Sequence, residues 1–560
     1  MRDERRDNNP PRLLKVCGSD FELGNFVRGR NDAGGSGPEA SRALLAAISG
    51  LPRRTLHHCS SPPSNWQSVV YGGRQGGGIL QYSCSTDDSD HPQDWGRKFL
   101  AENGGCAYID LDHLELCSPE VSNAWDFVAA THAMLRIARH ALHIANDEQT
   151  DGCKIQVLVN NSDGLGHSYG SHLNFLITQR AWDNIFNRKF HYLQYLASFQ
   201  VSSLIYTGQG KVGAENGAPD VAFQLSQRAE FFEKLSSLPT TFSRGLVNSR
   251  DEPLCGPTSA SSKPDAPARL HSIFFDSTLA HGSCLLKVGV MQIVLAMLEA
   301  EHCDPALILD DPVDAAMCIS HDPTLKQCVE LVSGARLTAI ELQGRFLADA
   351  RRFAATVGFE GVVPRSAEVL DLWEDTLTKL KAGDLLRLAP RLDWVMKLMA
   401  LERALDQRPE LGWDSPEIKV LDHLYSSLDD DGLYWAYEKC GFAERLVDDD
   451  HITRLATTPP EDTRAWTRAM LLRCGGTTID SVDWDSVGFK LRGKNYWPTY
   501  RKVSLGHPLA FTRAKAEPLF TQAENLEAIL DAIDAASGHA GDERIPLPPD
   551  SVDKPREFIN

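Results

Sequence analysis

The sequence lacks the features of a membrane, secreted or zinc-binding protein. None of its apolar runs reaches the roughly 18 residues that a membrane-spanning helix needs, and the N-terminal residues MRDERRDNNPPR contain no apolar secretory signal. The 13 cysteines are odd in number and lack the paired spacing of metal sites, which favours reduced thiols over disulfides or zinc. We therefore expect a soluble, cytoplasmic protein.

An excess of positive charge is also absent. The chain has 57 Lys and Arg residues against 76 Asp and Glu residues, a formal net charge of -19. Such a charge disfavours attraction to nucleic acid or to an anionic membrane, so we expect neither as a partner. With 42% hydrophobic and 24% charged residues over 560 positions, the composition is that of a globular protein with room for two or more domains.

The segment from Asn160 to Asn174, NNSDGLGHSYGSHLN, concentrates polar and glycine residues in a short stretch. Its amides, its carboxylate and its histidines supply hydrogen-bond donors and acceptors, and its glycines let the backbone turn or approach a ligand. The apolar run LNFLI that begins within its last residues is typical of a buried strand. We expect a polar turn that holds side chains against a substrate, although a solvated loop has the same composition.

Two other segments place carboxylates on one face of a predicted strand. In GSDFELG, Asp20 and Glu22 are two residues apart, so both carboxylates project from the same side. Like charges side by side destabilise each other unless a cation compensates them, as Mg²⁺ bound to ATP phosphates would; a strand with two solvated acids is the alternative. In AYIDLDHLELCSPE, alternation puts Tyr108 and Asp110 on one face and Ile109 on the other.

Seven segments together resemble the Pup ligase and depupylase family, in the order and at about the spacing of that family. They are NNSDGLGHSYGSHLN (160–174), FQLSQRAEF (223–231), NSRDEP (248–253), RLHSI (269–273), LLKVG (285–289), PPEDTRAW (459–466) and WDSV (484–487). The resemblance covers roughly residues 13–535. The segments SYGSH, FQLSQR, DTRAW and WDSV look more like the depupylase branch than the ligase branch.

The resemblance implies a glutamine-synthetase-like α+β fold, in which helices cover the outer face of an antiparallel sheet cradle and a small C-terminal α/β lobe closes the nucleotide end. It implies ATP- and Mg²⁺-dependent cleavage of an amide or isopeptide bond at the terminal Glu or Gln of a small acidic, Pup-like tag. Because the protein is itself acidic, such a tag requires a local basic groove. Ligation in the reverse sense, phosphotransfer to another acceptor, and a catalytically impaired protein that only binds nucleotide or tag remain alternatives.

The same resemblance assigns roles to individual residues. Asp110 matches the catalytic aspartate, which acts as a base or a nucleophile. The positions that match metal ligands are Asp20, Glu22, Tyr108, Glu115 and His172. Those that match nucleotide contacts are Ser118, Arg228, Arg250, His271, Arg464 and Trp484. Guanidinium forks suit phosphate oxygens, and the Trp484 indole suits stacking on a purine, although surface ion pairs and core packing are the alternatives for these residue types.

Three positions depart from the family pattern. Cys106 replaces an arginine two residues before Tyr108, Val159 replaces a lysine, and Leu173 replaces the glutamate of a histidine-glutamate-asparagine triplet. A leucine cannot bind metal or accept a hydrogen bond. We therefore expect either local compensation for the lost cation and carboxylate, or altered substrate or chemistry, or a weakened enzyme.

Composition also divides the chain into regions. We predict loose tails over residues 1–12 and 541–560, a catalytic domain over 13–451 and a small C-terminal domain over 452–540, with the boundary after an acidic run. Residues 59–95 lack sustained periodicity and predict an excursion. Residues 122–147 predict a long helix capped by serine, and the pattern beyond residue 310 is mainly helical.

Overall fold

The computed structural model describes residues 10–29, 36–50, 70–71, 97–149, 152–252, 254–255, 263–493 and 498–537. The C-terminal tail (541–560), most of the N-terminal tail (1–12) and nearly all of the excursion (59–95) lie outside these ranges. The predictions made for these three segments therefore stay predictions.

The described residues form a mixture of strands and helices. The strands are β1 (Cys17–Arg28), β2 (Val70–Tyr71), β3 (Lys98–Leu100), β4 (Cys106–Asp110), β5 (His113–Cys117), β6 (Lys154–Leu158), β7 (Ser171–Thr178), β8 (Lys211–Val212), β9 (Phe223–Gln224), β10 (Phe232–Ser237), β11 (Arg244–Asn248), β12 (Pro267–Ser272), β13 (Cys328–Glu330), β14 (Arg336–Thr338), β15 (Ile479–Asp483), β16 (Ser486–Arg492) and β17 (Pro498–Ser504). The helices are α1 (Ser36–Gly50), α2 (Ala124–Asp147), α3 (Gln179–Asp183), α4 (Phe190–Ser202), α5 (Leu204–Thr207), α6 (His281–Glu299), α7 (Pro312–Ser320), α8 (Ala339–Thr356), α9 (Ser366–Ala382), α10 (Leu385–Leu388), α11 (Asp393–Gln407), α12 (Pro416–Tyr425), α13 (Leu433–Lys439), α14 (Asp449–Thr457), α15 (Ala465–Gly475), α16 (Arg513–Thr521) and α17 (Leu526–Ser537).

A central antiparallel sheet of eight strands organises the fold. Its strand order is β12-β7-β1-β5-β4-β3-β2, and β6 pairs with the second half of β1. In this register Asp20 lies opposite His172 on β7 and Cys117 on β5, while Glu22 lies opposite Glu115. Residues far apart in sequence thus meet at the middle of the sheet.

Side-chain alternation gives the sheet two different faces. On one face Phe21, Ile109 and Leu114 join a buried cluster with α1 and α2. On the other face the same strands present Asp20 and Asp110, together with further polar groups, to a cavity. The predicted α+β class, an antiparallel sheet whose outer face is covered by helices, is confirmed.

Helices dominate the chain beyond the sheet, as the sequence pattern predicts. The long helix predicted over 122–147 is α2, but the cap is Asn123, whose side chain accepts from the Asp126 N–H at 2.9 Å, because Ser122 instead donates to Asp462. Among the described residues, α6 is the one helix that is long and apolar enough to cross a membrane, and it is buried throughout within the protein.

The C-terminal lobe consists of a three-stranded antiparallel sheet, β15-β16-β17, with α16 and α17. Its apolar residues, including Val487 and Phe489, share one cluster with Phe99 and Tyr108 of the central sheet, so the lobe packs directly on β3–β5. The boundary predicted after residue 451 falls within α14, which packs on α2. We place the start of the lobe after Thr457.

Candidate active site

A cavity of about 720 Å³ lies between the polar face of the central sheet and the C-terminal lobe. Most of the residues predicted to carry function line this cavity: Asp20, Tyr108, Asp110, Glu115, Ser118, His172, Arg250, His271, Arg464 and Trp484. Two predicted residues, Glu22 and Arg228, are absent from its lining among the described residues. The structure therefore brings ten of the twelve predicted positions to one place.

Three carboxylates converge at one end of the cavity. Glu22, Asp110 and Glu115 each offer an oxygen, and these oxygens lie within 4.8 Å of one another. Asp110 is half-buried and ends β4 at a tight turn, where Leu111 takes a left-handed backbone conformation with φ of 43°. A non-glycine residue in this conformation is strained, and such strain is typical of functional sites.

The environment makes two of these acids, Glu22 and Glu115, hard to ionise. Burial, together with the negative charge of Asp110, raises the pKa of Glu22 to about 7. Burial and the charges of Asp20 and Glu22 raise the pKa of Glu115 well above its usual value. A divalent cation among the three oxygens would relieve this repulsion, because carboxylates are the ligands that Mg²⁺ prefers. The donor set therefore suits Mg²⁺. Glu22 and Glu115 of this set were predicted as metal ligands, whereas Asp110 was predicted as the catalytic residue.

A network of hydrogen bonds links several polar side chains of the cavity wall. Asn174 donates to Asp20 at 2.5 Å and accepts from Arg269 at 2.7 Å, and its Oδ1 lies 3.0 Å from Nδ1 of His271. Nδ1 of His172 lies 3.5 Å from the Asp20 carboxylate. Burial alone would raise the pKa of Asp20, but the hydrogen bond and charge of His172 outweigh it and hold this pKa below its usual value. Asp20 is therefore an anion on the cavity wall.

His271 carries a buried ring nitrogen that faces no protein partner within the described ranges. Its Nδ1 contacts Asn174 at 3.0 Å, while Nε2 is buried without a hydrogen bond. Burial and the charge of Arg269 lower the pKa of His271 well below its usual value, so the ring is neutral. A neutral imidazole whose Nδ1–H donates to an amide leaves Nε2 with a lone pair for a metal or a ligand donor. This orphaned atom fits a site that is completed by a bound group.

Arginines of the C-terminal lobe hold together the part of the cavity wall that this lobe supplies. Arg464 donates to Glu120 at 2.9 Å and to three backbone carbonyls, so its guanidinium is committed to protein groups. Arg468 also donates to Glu120 and stacks 4.7 Å from the Trp484 ring centre. Phe99 touches the same ring edge-on at 5.1 Å. The Trp484 indole thus packs against Arg468 and Phe99 and is only half-buried.

The remaining predicted contacts lie in different surroundings. Ser118 lines the cavity, and its hydroxyl accepts from the Ser19 N–H at 2.9 Å. Arg250 is half-buried in the cavity wall. Arg228 is fully buried elsewhere, where it donates to the backbone carbonyls of Ile273 and Phe275. Burial lowers the pKa of Arg228 to about 9. The nucleotide role assigned to Arg228 stays a prediction, and its contacts in the structure are with protein.

The glycine-rich segment 160–174 serves the site mainly as a scaffold. Asn160 and Asn161 are buried and hydrogen-bond within the loop and to neighbouring chain segments, whereas His167 is exposed and pairs with Asp163. Only His172 and Asn174 of this segment reach the cavity. Gly170 is required for close approach, because a Cβ there would lie 2.8 Å from the Glu22 carboxylate. The segment shapes the acid cluster more than it supplies ligands.

Two of the three departures from the family pattern lie together in the core. Leu173 is 1% exposed and, by alternation with His172, points to the opposite side of β7. Leu173 and Val159 line the same small internal cavity of about 20 Å³, beside Lys287. The two substituted positions are therefore neighbours in the core. The effect of these substitutions on activity stays a prediction.

Sequence reasoning missed three residues that line the cavity, Arg97, Glu120 and Arg269, and one that supports it, Arg468. Glu120 and Arg468 bind each other across the lobe junction, and a lone acid and a lone arginine give no local signal of this. Arg269 was detectable, because it stands two residues from His271 on β12 and shares its face. Arg97 also lines the cavity, with its guanidinium 5.0 Å from the Tyr108 ring centre.

Comparisons with known proteins identify the family of this chain. The Pup-ligase protein family model matches residues 16–488. The chain is 35% identical over 436 residues to the depupylase of Acidothermus cellulolyticus, covering 78% of this chain and 83% of that protein. It is 35% identical over 442 residues to the Pup deamidase/depupylase of Mycolicibacterium smegmatis (78% and 81% covered). It is 34% identical over 434 residues to the Pup–protein ligase of Acidimicrobium ferrooxidans (76% and 90% covered).

Solved structures show the same architecture. The complex between the prokaryotic ubiquitin-like protein Pup and its ligase PafA matches with a TM-score of 0.71 at 24% identity, covering 93% of this chain and 95% of that chain. PafA in complex with ADP matches with a TM-score of 0.64 at 24% identity (83% and 98% covered). The chain therefore has the fold of these Pup ligases, and it belongs to the Pup-ligase protein family.

Proposed function

We propose that this protein is an ATP- and Mg²⁺-dependent enzyme that cleaves an amide or isopeptide bond at the C-terminal Gln or Glu of a Pup-like tag. The observation that carries the proposal is the cluster of Glu22, Asp110 and Glu115 at one end of a large cavity whose other end holds the half-buried Trp484. A cation site, an anionic group at a strained turn and an aromatic platform are the parts that such chemistry requires.

The cavity divides into regions that suit the parts of Mg²⁺-ATP. Glu22, Glu115 and Asp20, with the neutral ring of His271, would hold the metal, while Arg250 would meet phosphate oxygens. Trp484 would stack on the base, supported by Arg468. Bound there, Mg²⁺-ATP would supply a cation and a phosphoryl group to the acid end of the cavity. Support for nucleotide use comes from the relative PafA, which was solved with ADP.

Asp110 is the residue best placed to act on the tag. Its carboxylate stands at the end of β4, half-buried, whereas Glu22 and Glu115 are buried behind it. A carboxylate in this position can attack a carbonyl carbon as a nucleophile or take a proton from water or an amine. The neighbouring acids Glu22 and Glu115 would hold the metal.

The tag as substrate is inferred from the relatives. The matched proteins include depupylases and a Pup–protein ligase, and PafA was solved in a complex with Pup. We expect the same small acidic partner here. The cytoplasmic location expected from the sequence also remains a prediction.

Ligation of the tag to a lysine is the second candidate. It is favoured by the 34% identity to the Pup–protein ligase of Acidimicrobium ferrooxidans, nearly equal to the 35% identity to depupylases. The segments SYGSH and WDSV, which resemble the depupylase branch, lead us to prefer cleavage. A catalytically impaired protein loses its main support, because Leu173 lies in the core.

Mass spectrometry of three parallel reactions tests this proposal. The purified protein is incubated with Mg²⁺ and ATP, and with a Pup tag ending in Gln, a tag–protein conjugate, or a tag ending in Glu plus a lysine-bearing protein. We expect deamidation in the first reaction and release in the second. Conjugate formed only in the third would establish the ligase instead. The absence of all three products, with ATP still consumed, would favour phosphotransfer.

A further inference from the structure

Glu120 is an acid in the wall of the active-site cavity to which the sequence assigns no function. It lies between β5 and α2, and its side chain is 13% exposed. Its carboxylate accepts from Nε of Arg464 at 2.9 Å, and from Nη1 and Nη2 of Arg468 at 3.0 and 2.5 Å. Arg464 precedes α15 and Arg468 lies within it. One carboxylate thus joins the segment that follows the central sheet to the C-terminal lobe.

The Glu120 carboxylate is an anion held between two cations. Burial would raise its pKa, but the charges of Arg468 and Arg464 outweigh burial and lower this pKa to about 2. Charge-assisted hydrogen bonds are directional, so the carboxylate fixes the orientation of both guanidinium groups. Without it the two arginines would stand side by side as buried like charges. Glu120 therefore determines how Arg464 and Arg468 are placed.

Arg468 connects Glu120 to Trp484. Its side chain is fully buried, and Nη1 donates to the Trp484 carbonyl at 3.0 Å while Nη2 donates to the Gly104 carbonyl at 2.8 Å. The same guanidinium lies 4.7 Å from the centre of the Trp484 ring, in the range of a cation–π contact. Arg468 therefore contacts both the backbone and the ring of Trp484.

The Trp484 ring needs this support because it stands on a hairpin turn. Trp484 and Asp485 form the connection between β15 and β16, and the half-buried indole lines the cavity. Phe99 contacts the ring edge-on at 5.1 Å. Attraction between aromatic rings depends on their angle and offset, so a stacking platform must keep a fixed orientation.

We propose that Glu120 is a positioning residue that, through Arg468, orients the Trp484 ring for the base of the nucleotide, an inference that rests on the proposed function. Loss of the carboxylate should then weaken recognition of the base and spare recognition of the phosphates. A purely electrostatic role would have the opposite sign, because removing a negative charge beside two arginines strengthens the binding of any polyphosphate. A role in folding alone would weaken the binding of all ligands alike.

Calorimetric titration of the full-length protein with Mg²⁺-ATP and with Mg²⁺-tripolyphosphate, which has no base, separates these roles. We expect Glu120→Gln to weaken ATP binding about 5- to 30-fold, a part of what stacking of a base on an aromatic ring contributes, and to leave tripolyphosphate binding unchanged or tighter. In tag cleavage the KM for ATP should rise, while kcat at saturating ATP changes by less than about twofold. Glu517→Gln is the matched control, because Glu517 pairs with Arg513 in the same lobe and lies outside the described lining of the cavity.

A double-mutant cycle tests whether Glu120 acts through Trp484. In the Trp484→Ala background, Glu120→Gln should have little further effect on ATP affinity, because the ring that it orients is gone. Arg468→Lys keeps a charge for Glu120 but removes the planar group from the indole, so it should reproduce the selective loss of ATP binding, and it serves as the test if thermal unfolding shows that Glu120→Gln does not fold.

Two outcomes would overturn the inference while leaving the proposed function intact. One is an equal loss of ATP and tripolyphosphate affinity in Glu120→Gln, and the other is a full effect of Glu120→Gln in the Trp484→Ala background. A wild-type protein that binds no Mg²⁺-ATP would overturn the proposed function, and the inference with it.

Discussion

The two faces of the central sheet differ in the side chains that they bury. The cavity face keeps the carboxylates of Asp20, Glu22, Asp110 and Glu115 close together, although burial makes several of them costly to ionise. On the core face, Val159 and Leu173 are buried apolar residues that line one small cavity. The cavity face retains repulsion between carboxylates whereas the core face buries apolar side chains, so the cavity face is arranged for ligands and the core face for stability.

The largest effect on the cavity face is expected from Asp110→Asn. The amide is similar in size but is neither a base nor a nucleophile, so turnover should fall by about 10²- to 10⁴-fold. Nucleotide affinity and the unfolding temperature should change little. Asp112→Asn is the matched control, because Asp112 is exposed on the same turn. Steady-state rates of tag cleavage measure the effect, and near-normal rates for Asp110→Asn would show that another group performs the chemistry.

On the core face the largest effect is expected from Leu173→Glu. The substitution buries a carboxylate in a small cavity beside the Lys287 ammonium, which already donates to the Asp276 carbonyl at 2.8 Å. We expect the free energy of unfolding to fall by about 3 to 5 kcal/mol. Urea denaturation measures it, with Leu173→Met as the volume-conserving control. A rise in magnesium affinity without lost stability would place residue 173 at the metal site and contradict the structure.

A smaller effect, an increase in the free energy of unfolding, is expected from Glu22→Gln. The pKa of Glu22 is raised to about 7, so the folded protein holds a proton that the unfolded chain releases near pH 4.5. Stability contributed by the protonated form is therefore lost as pH rises from about 4.5 to about 7. Without metal, Glu22→Gln should be more stable than the wild type by on the order of 2 kcal/mol at pH 8, and by little at pH 5.

Thermal unfolding with and without Mg²⁺-ATP extends this test. The added ligand should stabilise the wild type more than Glu22→Gln, because the variant has lost a metal oxygen. A variant that is less stable than the wild type at pH 8 without ligand would show that the Glu22 carboxylate is not repelled by its neighbours.

Side-chain alternation along the strands explains which features of the two sheet faces could be predicted from the sequence. The two-residue spacing of Asp20 and Glu22, and of Tyr108 and Asp110, predicted which side chains share a face, and the structure places each pair together. The same rule applied to His172 and Leu173 would have assigned Leu173 to the core. The comparison with the family pattern instead treated Leu173 as a site position, because the family has a glutamate there.

The site also depends on the pairing of strands that are distant in sequence, and this pairing could not be predicted. Glu22 and Glu115 are opposite each other only because β1 pairs with β5, and no local pattern specifies that pairing. Arg97 follows a long stretch without periodicity, so nothing in its neighbourhood predicted a strand beside β4. The clamp of Glu120 by two arginines depends on how the C-terminal lobe packs, which is a tertiary property.

The smallest net effect is expected when both core positions are changed together. Val159→Lys alone and Leu173→Glu alone each bury an unpaired charge, but both residues line the same 20 Å³ cavity, so the double variant can form an ion pair. A buried ion pair is often neutral or less stable than its apolar replacement by about 1 to 4 kcal/mol. We therefore expect the free energy of unfolding of the double variant to be at most about 1 to 4 kcal/mol below that of the wild type. This loss should be smaller than the sum of the losses in the two single variants. The double variant's rate of tag cleavage, measured where the protein is fully folded, should match the wild type, because neither residue touches the acid cluster. Additive losses would show that the two positions are not coupled, and a changed rate would show that the core face reaches the chemistry after all.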